Sequence, residues 1–321
     1  RAEYSASFPY TNIKFTDDDM PLVIELEAFS PFIPHDVKNS ALPVAFFNFK
    51  VRSTTDKPVD VMIMSSSRNA VGYDQPQRTY RTDMVKKADY KLYQHACDKL
   101  EPEHASTGTQ AVASLSGDST HYLGWEHRHP YYEICIRNRE LPNIDDTAGR
   151  NATDKETGEE HAGARLFSTI ARSTVLQGGQ QLDHAFVMGW HFPNLYSRDG
   201  SHVEGHYYAT QFDDAAAAVD YAVQNKAMLE RETRRFHDDF FDSSLEPFVL
   251  DQVNSQLNTF RTSSWYTKDG NFGIQEGLTQ ERCWGPLATI DVAMYGSIST
   301  AALFPELDRA MMEVHCRLQS E

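Results

Sequence analysis

The sequence predicts a β-then-α chain, an antiparallel β-sandwich followed by a helical array. Three observations carry this. Short runs rich in Val, Ile and Phe recur up to about residue 195, and β-branched and aromatic residues favour strands. No long helical pattern interrupts them, which favours stacked antiparallel sheets. After about residue 212 the apolar period lengthens to three or four residues, the spacing of one helical face.

The strands are taken in order. PLVIELEAF (21–29), LPVAFFNFKVRS (42–53) and VDVMIMSSS (59–67) are the first three. Thr54-Thr55-Asp56-Lys57-Pro58 has turn composition, so the second and third read as an antiparallel hairpin. YYEICIR (131–137), ARLFSTIARSTVL (164–176) and QLDHAFVMGWHF (181–192) follow, the last two joined by Gln177-Gly178-Gly179-Gln180. Residues 68–120 and 139–163 are polar and read as long loops or insertions.

The helices come next. Residues 213–241 start on Asp213-Asp214, have an Ala-rich body, and place Ala218, Tyr221, Ala222 and Leu229 on one face, which predicts one long amphipathic helix. In 243–265, Ser243 or Ser244 suits a cap and Pro247 the first turn, with Val249, Val253, Leu257 and Phe260 spaced as one stripe. Residues 288–317 read as two further helices broken near Phe304-Pro305.

Composition bounds the function. The 321 residues are 40% hydrophobic and 24% charged, with a mean hydropathy of −0.54. That is globular composition, and no apolar run approaches the ~18 residues of a membrane helix. The net charge of −16 argues against nucleic acid as a partner. Cys97, Cys135, Cys283 and Cys316 are scattered without a CxxC pair and read as free thiols. The chain begins at Arg1 without a Met or a signal pattern, so a processed, trimmed or partial chain is expected, cytoplasmic or secreted/periplasmic. One sequon, Asn151-Ala152-Thr153, falls in a polar stretch. His121, His127 and His129 invite a zinc reading and Asp17-Asp18-Asp19 a calcium one. No thiol or carboxylate completes the zinc set, and an exposed acidic run is the commoner account of the other, so neither metal nor cofactor is expected.

Several segments carry a resemblance. LEAFSPFIPHDVKNSALPVAFFNFKVRSTTDKPVDV (26–61), GWHFPN (189–194), GHYYATQF (205–212), SLEPFVLDQVNSQLNTFRTSSWYTKDGNFGIQEG (244–277) and IDVAMYGSISTAALFPELDRAM (290–311) together resemble glycoside hydrolase family 116. This family includes the non-lysosomal glucosylceramidase and bacterial β-glucosidases. The resemblance implies a sandwich domain over 1–205 and, over 206–321, the first helices of an incomplete (α/α)6 catalytic barrel. It implies a retaining β-glycosidase working by double displacement on a β-glycoside, with a glucoside, glycolipid or oligosaccharide as substrate. Glu276 corresponds to the nucleophile and Asp291 to an aspartate that binds sugar hydroxyls. They lie 15 residues apart (291 − 276), with Glu281 between them as a rival nucleophile.

Asp291 or Thr289 also suits the cap of the helix that follows. Trp190 and His191 are candidates to line the saccharide cleft, with packing at the domain junction as the alternative. The resemblance also implies an acid/base aspartate downstream of Glu321, so the chain alone is expected to be inactive. A C-terminal half or a second chain would complete the barrel. A non-catalytic carbohydrate-binding or structural subunit is the rival reading, and a phosphorylase or lyase on the same scaffold is a third.

Overall fold

The structure is a computed structural model that describes residues 1–75, 79–125, 128–145, 167–197, 200–275 and 289–319. Glu276, Glu281, Cys283, His127 and the Asn151 sequon lie outside the described residues. Eleven strands build two sheets: β1 (Ala2–Ser7), β2 (Tyr10–Thr16), β3 (Leu22–Phe29), β4 (Val44–Ser53), β5 (Val59–Arg68), β6 (Thr79–Lys86), β7 (Lys91–Asp98), β8 (Thr109–Ser114), β9 (Thr120–Trp125), β10 (Phe167–Leu176) and β11 (Gln181–His191). The larger sheet has the order β1-β2-β3-β4-β11-β8-β7-β6 and the smaller β5-β10-β9, all antiparallel.

The two sheets stack because their strands alternate. Tyr93, Val112 and Phe186 of the larger sheet pack with Leu123 and Ile170 of the smaller. Val51 and Leu182 pack with Val61 and Leu176 in the same interlayer. On β4 the odd positions Phe47, Phe49 and Val51 face this interlayer, while Val44 and Phe46 face the opposite side. That opposite face is covered by helices, so β4 is apolar on both sides and reads as a continuous hydrophobic run.

The helices are α1 (Val37–Ser40), α2 (Arg128–Asn138), α3 (Ala215–Gln224), α4 (Lys226–Phe241), α5 (Pro247–Leu257), α6 (Thr259–Thr262), α7 (Ile290–Leu303) and α8 (Pro305–Leu318). Helix α3 lies on the larger sheet with Ala215, Ala218, Val219 and Ala222 at 0% exposure. Its Ala-rich face permits that approach, and Gly189 of β11 completes the fit: a Cβ there would sit 2.6 Å from Val219 Cγ2. Three amide groups at its start find side-chain partners, as helix starts require. Ala217 N donates to Asp214 Oδ1 at 2.8 Å, Ala215 N to Thr109 Oγ1 at 2.9 Å and Ala216 N to Gln94 Oε1 at 2.7 Å. The last two acceptors lie on strands of the sheet.

Several expectations are corrected. Strands β6, β7 and β8 occupy the region read as loops, and β1 and β2 precede the first expected strand. Their polar residues pair inside the sandwich, as His95 does with Thr82 and Ser67 at 2.9 and 3.1 Å, so simple apolar alternation is lost. Residues 131–137 form α2, not a strand, because helical spacing puts Tyr131 and Cys135 together against Trp125. β4 and β5 do not form a hairpin: the turn between them carries the chain from the larger sheet to the smaller. The helix expected over 213–241 is two helices. Asn225 sits at φ −104° and ψ 8°, with its side-chain amide donating to Tyr221 O at 2.8 Å, a local bond that competes with helix continuation. Neither Ser243 nor Ser244 caps α5; the cap position is Glu246, with Pro247 opening the helix. The break at Phe304-Pro305 separates α7 from α8 as expected.

Candidate active-site cavity

A short hairpin positions the site. β12 (Ser264–Tyr266) pairs with β13 (Phe272–Ile274), and Gly270 closes the turn at φ +82°, a conformation that favours glycine. The loop leaving β11 clasps this hairpin. Lys268 N donates to Gly205 O at 2.9 Å, His206 bridges to Thr267, and Trp265 Nε1 donates to Glu204 Oε2 at 3.0 Å. At the far end Gln275 N donates to Ser263 O at 2.7 Å. The sandwich exit therefore fixes the strand that leads into position 276.

Between the sandwich exit, this hairpin and α8 lies a cavity of about 260 Å³, walled by Trp190, Tyr207, Tyr266, Phe272, Arg261 and Phe304 among others. The rings of Tyr207 and Tyr266 stack with centroids 4.2 Å apart, and His206 stacks on Tyr208 at 4.9 Å. Burial pushes the Tyr266 hydroxyl up to about 12 and raises that of Tyr207, while burial pushes His206 down to about 4. At neutral pH the wall is thus uncharged apart from Arg261, whose guanidinium burial lowers to about 10. Flat aromatic faces with neutral polar tips suit the apolar face and hydroxyl rim of a sugar ring.

The structure separates the residues singled out from sequence. Trp190 lines the cavity. His191 does not: it is 7% exposed, and its Nε2 is bonded to Phe212 O at 2.9 Å. Burial lowers its pKa, and it ties β11 to the segment before α3. Asp291 lies exposed in the first turn of α7, whose cap position is Thr289 with no side-chain cap bond. Glu276 follows directly on Gln275, the last described residue of the hairpin segment. Sequence reasoning missed Tyr207, Tyr266 and Arg261 as cavity residues, although GHYYATQF and RTSSWY carried them. Their signal is aromatic pairs beside turns, which one-dimensional patterns do not distinguish from core.

Other groups fit a site less well. A wider depression, about 1060 Å³, runs between β1–β4 and α4. Its charges neutralise one another: Arg234 pairs with Glu27 and covers the Tyr10 ring at 3.8 Å, Lys226 pairs with Glu230, and Lys14 with Glu25 at 3.8 Å. His121 is bonded to Asp145, and His129 is exposed beside Glu133 at 3.7 Å. Among the described residues no three His, Cys, Asp or Glu gather as a metal set, and no helix is long and apolar enough to cross a membrane.

Two solved structures share a partial likeness. One is the galactose mutarotase related enzyme from Lactobacillus acidophilus, 10% identical, TM-score 0.28, covering 59% of this chain and 71% of that one. The other is a putative aldose 1-epimerase from Klebsiella pneumoniae subsp. pneumoniae MGH 78578, 10% identical, TM-score 0.24, covering 59% and 53%. Residues 1–229, well over half of the chain, match the family described as beta-glucosidase 2, glycosyl-hydrolase family 116 N-term. With the sandwich and its exit loop built from the segments that carry the resemblance, the chain belongs to glycosyl-hydrolase family 116.

Proposed function

We propose that this chain supplies the sandwich (1–205) and the opening helices (206–321) of a retaining β-glycosidase, with Glu276 as its nucleophile. One observation carries the reading: Phe272 forms part of the cavity wall, and Glu276 lies four positions further along the chain. A chain of that length spans at most about 14 Å, which supports the reading. In double displacement, the Glu276 carboxylate attacks the anomeric carbon as the leaving oxygen takes a proton from a carboxylic acid about 5 Å away. Water then releases the sugar from the glycosyl ester, the same acid now acting as base. Trp190 stacks on the sugar, and Asp291 accepts from its hydroxyls.

The proton donor would come from helices that complete an (α/α)6 ring. The surface of α7 supports such a continuation, because Ile290, Met294, Tyr295 and Ile298 are 59, 70, 85 and 79% exposed. Contiguous apolar surface of this kind marks a face that a partner buries.

Aryl β-glucoside hydrolysis by the chain, alone and combined with the polypeptide that completes the ring, tests the reading. The combination is expected to be active, and Glu276→Gln to lower kcat by about 10³-fold or more, the scale of losing a covalent catalyst. Activity unchanged by that substitution would remove Glu276 from the mechanism.

A further inference from the structure

The polar groups around the 260 Å³ cavity differ in what they have left to offer. Ser40 Oγ donates to Ile33 O at 2.9 Å and accepts from Ile33 N at 2.8 Å, Ser264 Oγ donates to Phe260 O at 2.6 Å, and Tyr208 donates to Phe192 O at 2.7 Å. Tyr207 and Tyr266 are bonded to each other. Arg261 gives Nη2 to the Pro31 carbonyl and can only donate. His206 stands apart: its ring nitrogens have no hydrogen-bond partner among the described residues. The buried His95, His121, His184 and His191 each bond through a ring nitrogen. Polar groups withdrawn from bulk water are normally paired, by protein, ordered water or ligand.

The His206 imidazole is also held in place. Gly205 turns the chain at φ +74°, His206 N donates to Pro193 O at 2.9 Å, and the backbone bridges to Thr267 beside β12. The ring lies flat on Tyr208, with an interplanar angle of 11°. Burial keeps it uncharged at neutral pH, so one nitrogen donates and the other accepts. A hydroxyl group complements either function. Because backbone and ring are both fixed beforehand, little ordering entropy is lost when a ligand arrives.

We infer that the imidazole of His206 is a specificity-determining contact of the cavity, bonded to a hydroxyl of a neutral sugar ring that lies against Trp190. An analogue without that hydroxyl leaves the imidazole desolvated and unpaired, which is how a hydrogen-bonding site rejects it. The inference rests on the reading of the cavity as a sugar site, but needs neither Glu276 nor turnover.

Isothermal titration of the whole 321-residue chain with methyl β-glucoside and its monodeoxy analogues, before and after His206→Phe, tests it. The phenyl ring keeps the stack on Tyr208. The substitution is expected to weaken methyl β-glucoside binding by about 3- to 10-fold, the scale of one neutral hydrogen bond. Affinity for the analogue that lacks the contacted hydroxyl is expected to stay unchanged. Equal loss for every sugar would make His206 a packing residue and overturn the inference, as would no loss at all. If the unsubstituted chain does not bind methyl β-glucoside, the sugar reading of the cavity falls and takes the inference with it. Nitrogen NMR of the imidazoles needs no variant: the His206 signals are expected to move as the glucoside is added, while those of His191 stay. Binding that leaves the His206 signals in place would overturn the inference alone, with the sugar reading of the cavity intact.

Discussion

Helices α3 and α7 are both apolar, yet they end in opposite environments. α3 buries Ala215, Ala218, Val219 and Ala222 completely on the larger sheet. α7 buries Ala293 and Thr300 on one side and leaves Met294, Tyr295 and Ile298 at 70–85% exposure on the other. The contrast teaches which apolar helix faces the rest of the described chain covers. The larger sheet and α3 bury the apolar face they share, leaving only scattered exposed side chains such as Tyr4, Ile136 and Val175 elsewhere on the sandwich, whereas α7 presents a row of apolar side chains that nothing among the described residues covers. A helix that is hydrophobic all round is normally buried all round.

The sharpest way to break this comparison is to truncate one side chain in each region. Leu229 of α4 is 0% exposed in the cluster beneath the larger sheet, so Leu229→Ala is expected to lower stability by about 2–5 kcal/mol. Urea denaturation measures it. A loss below about 1 kcal/mol would mean that this core is less finished than described.

Acid sharpens the contrast next. Burial pushes His95 and His184 of the sandwich down to about 4, and each is bonded through a hydroxyl, His184 to Ser114 at 2.9 Å. In the unfolded chain they take up a proton near pH 6.5, in the folded chain only near pH 4. Between those values the unfolded state binds more protons. Stability is therefore present in full above about pH 6.5, falls as pH drops towards 4, and loses on the order of 2–3 kcal/mol per histidine. Thermal melts at pH 7 and pH 4.5 read this, and replacement of both histidines by Gln is expected to flatten the decline. An unchanged slope in that variant would assign the acid sensitivity to other groups.

The smallest effect falls on α7. Ile298→Ser is expected to change the stability of this chain by no more than about 0.5 kcal/mol while reducing self-association, which analytical ultracentrifugation detects. A loss comparable to that of Leu229→Ala would show that the face is already covered.

Sequence and structure agree where physics is local. The Val- and Phe-rich strands β4, β5, β10 and β11, the capped start of α3 and the Pro305 break were legible because composition and spacing determine them. Strands β6 to β8 were not, since polar side chains are satisfied inside the sandwich, Thr82 by His95 and Ser114 by His184 within the larger sheet and His95 by Ser67 of the smaller, so apolar alternation is broken. The pairing of β4 and β5 with different sheets was also hidden, because a turn-like connection looks the same whether it reverses within a sheet or crosses to the next. At the cavity, Trp190 falls in the GWHFPN segment singled out from sequence, whereas Arg261 gains meaning only from the desolvated cavity around it. His191 illustrates the reverse: adjacent in sequence to Trp190, it points to the other face of β11 and serves the Phe212 carbonyl.

The central proposal is that Glu276, next in sequence after the β12–β13 hairpin segment, is the nucleophile. The most direct test incubates the completed enzyme with a 2-deoxy-2-fluoro-β-glucoside bearing a good leaving group, which slows release of the glycosyl ester, and maps the labelled peptide by mass spectrometry. The account predicts one added sugar on Glu276. A label on Glu281, or turnover without a covalent sugar on either residue, would contradict it.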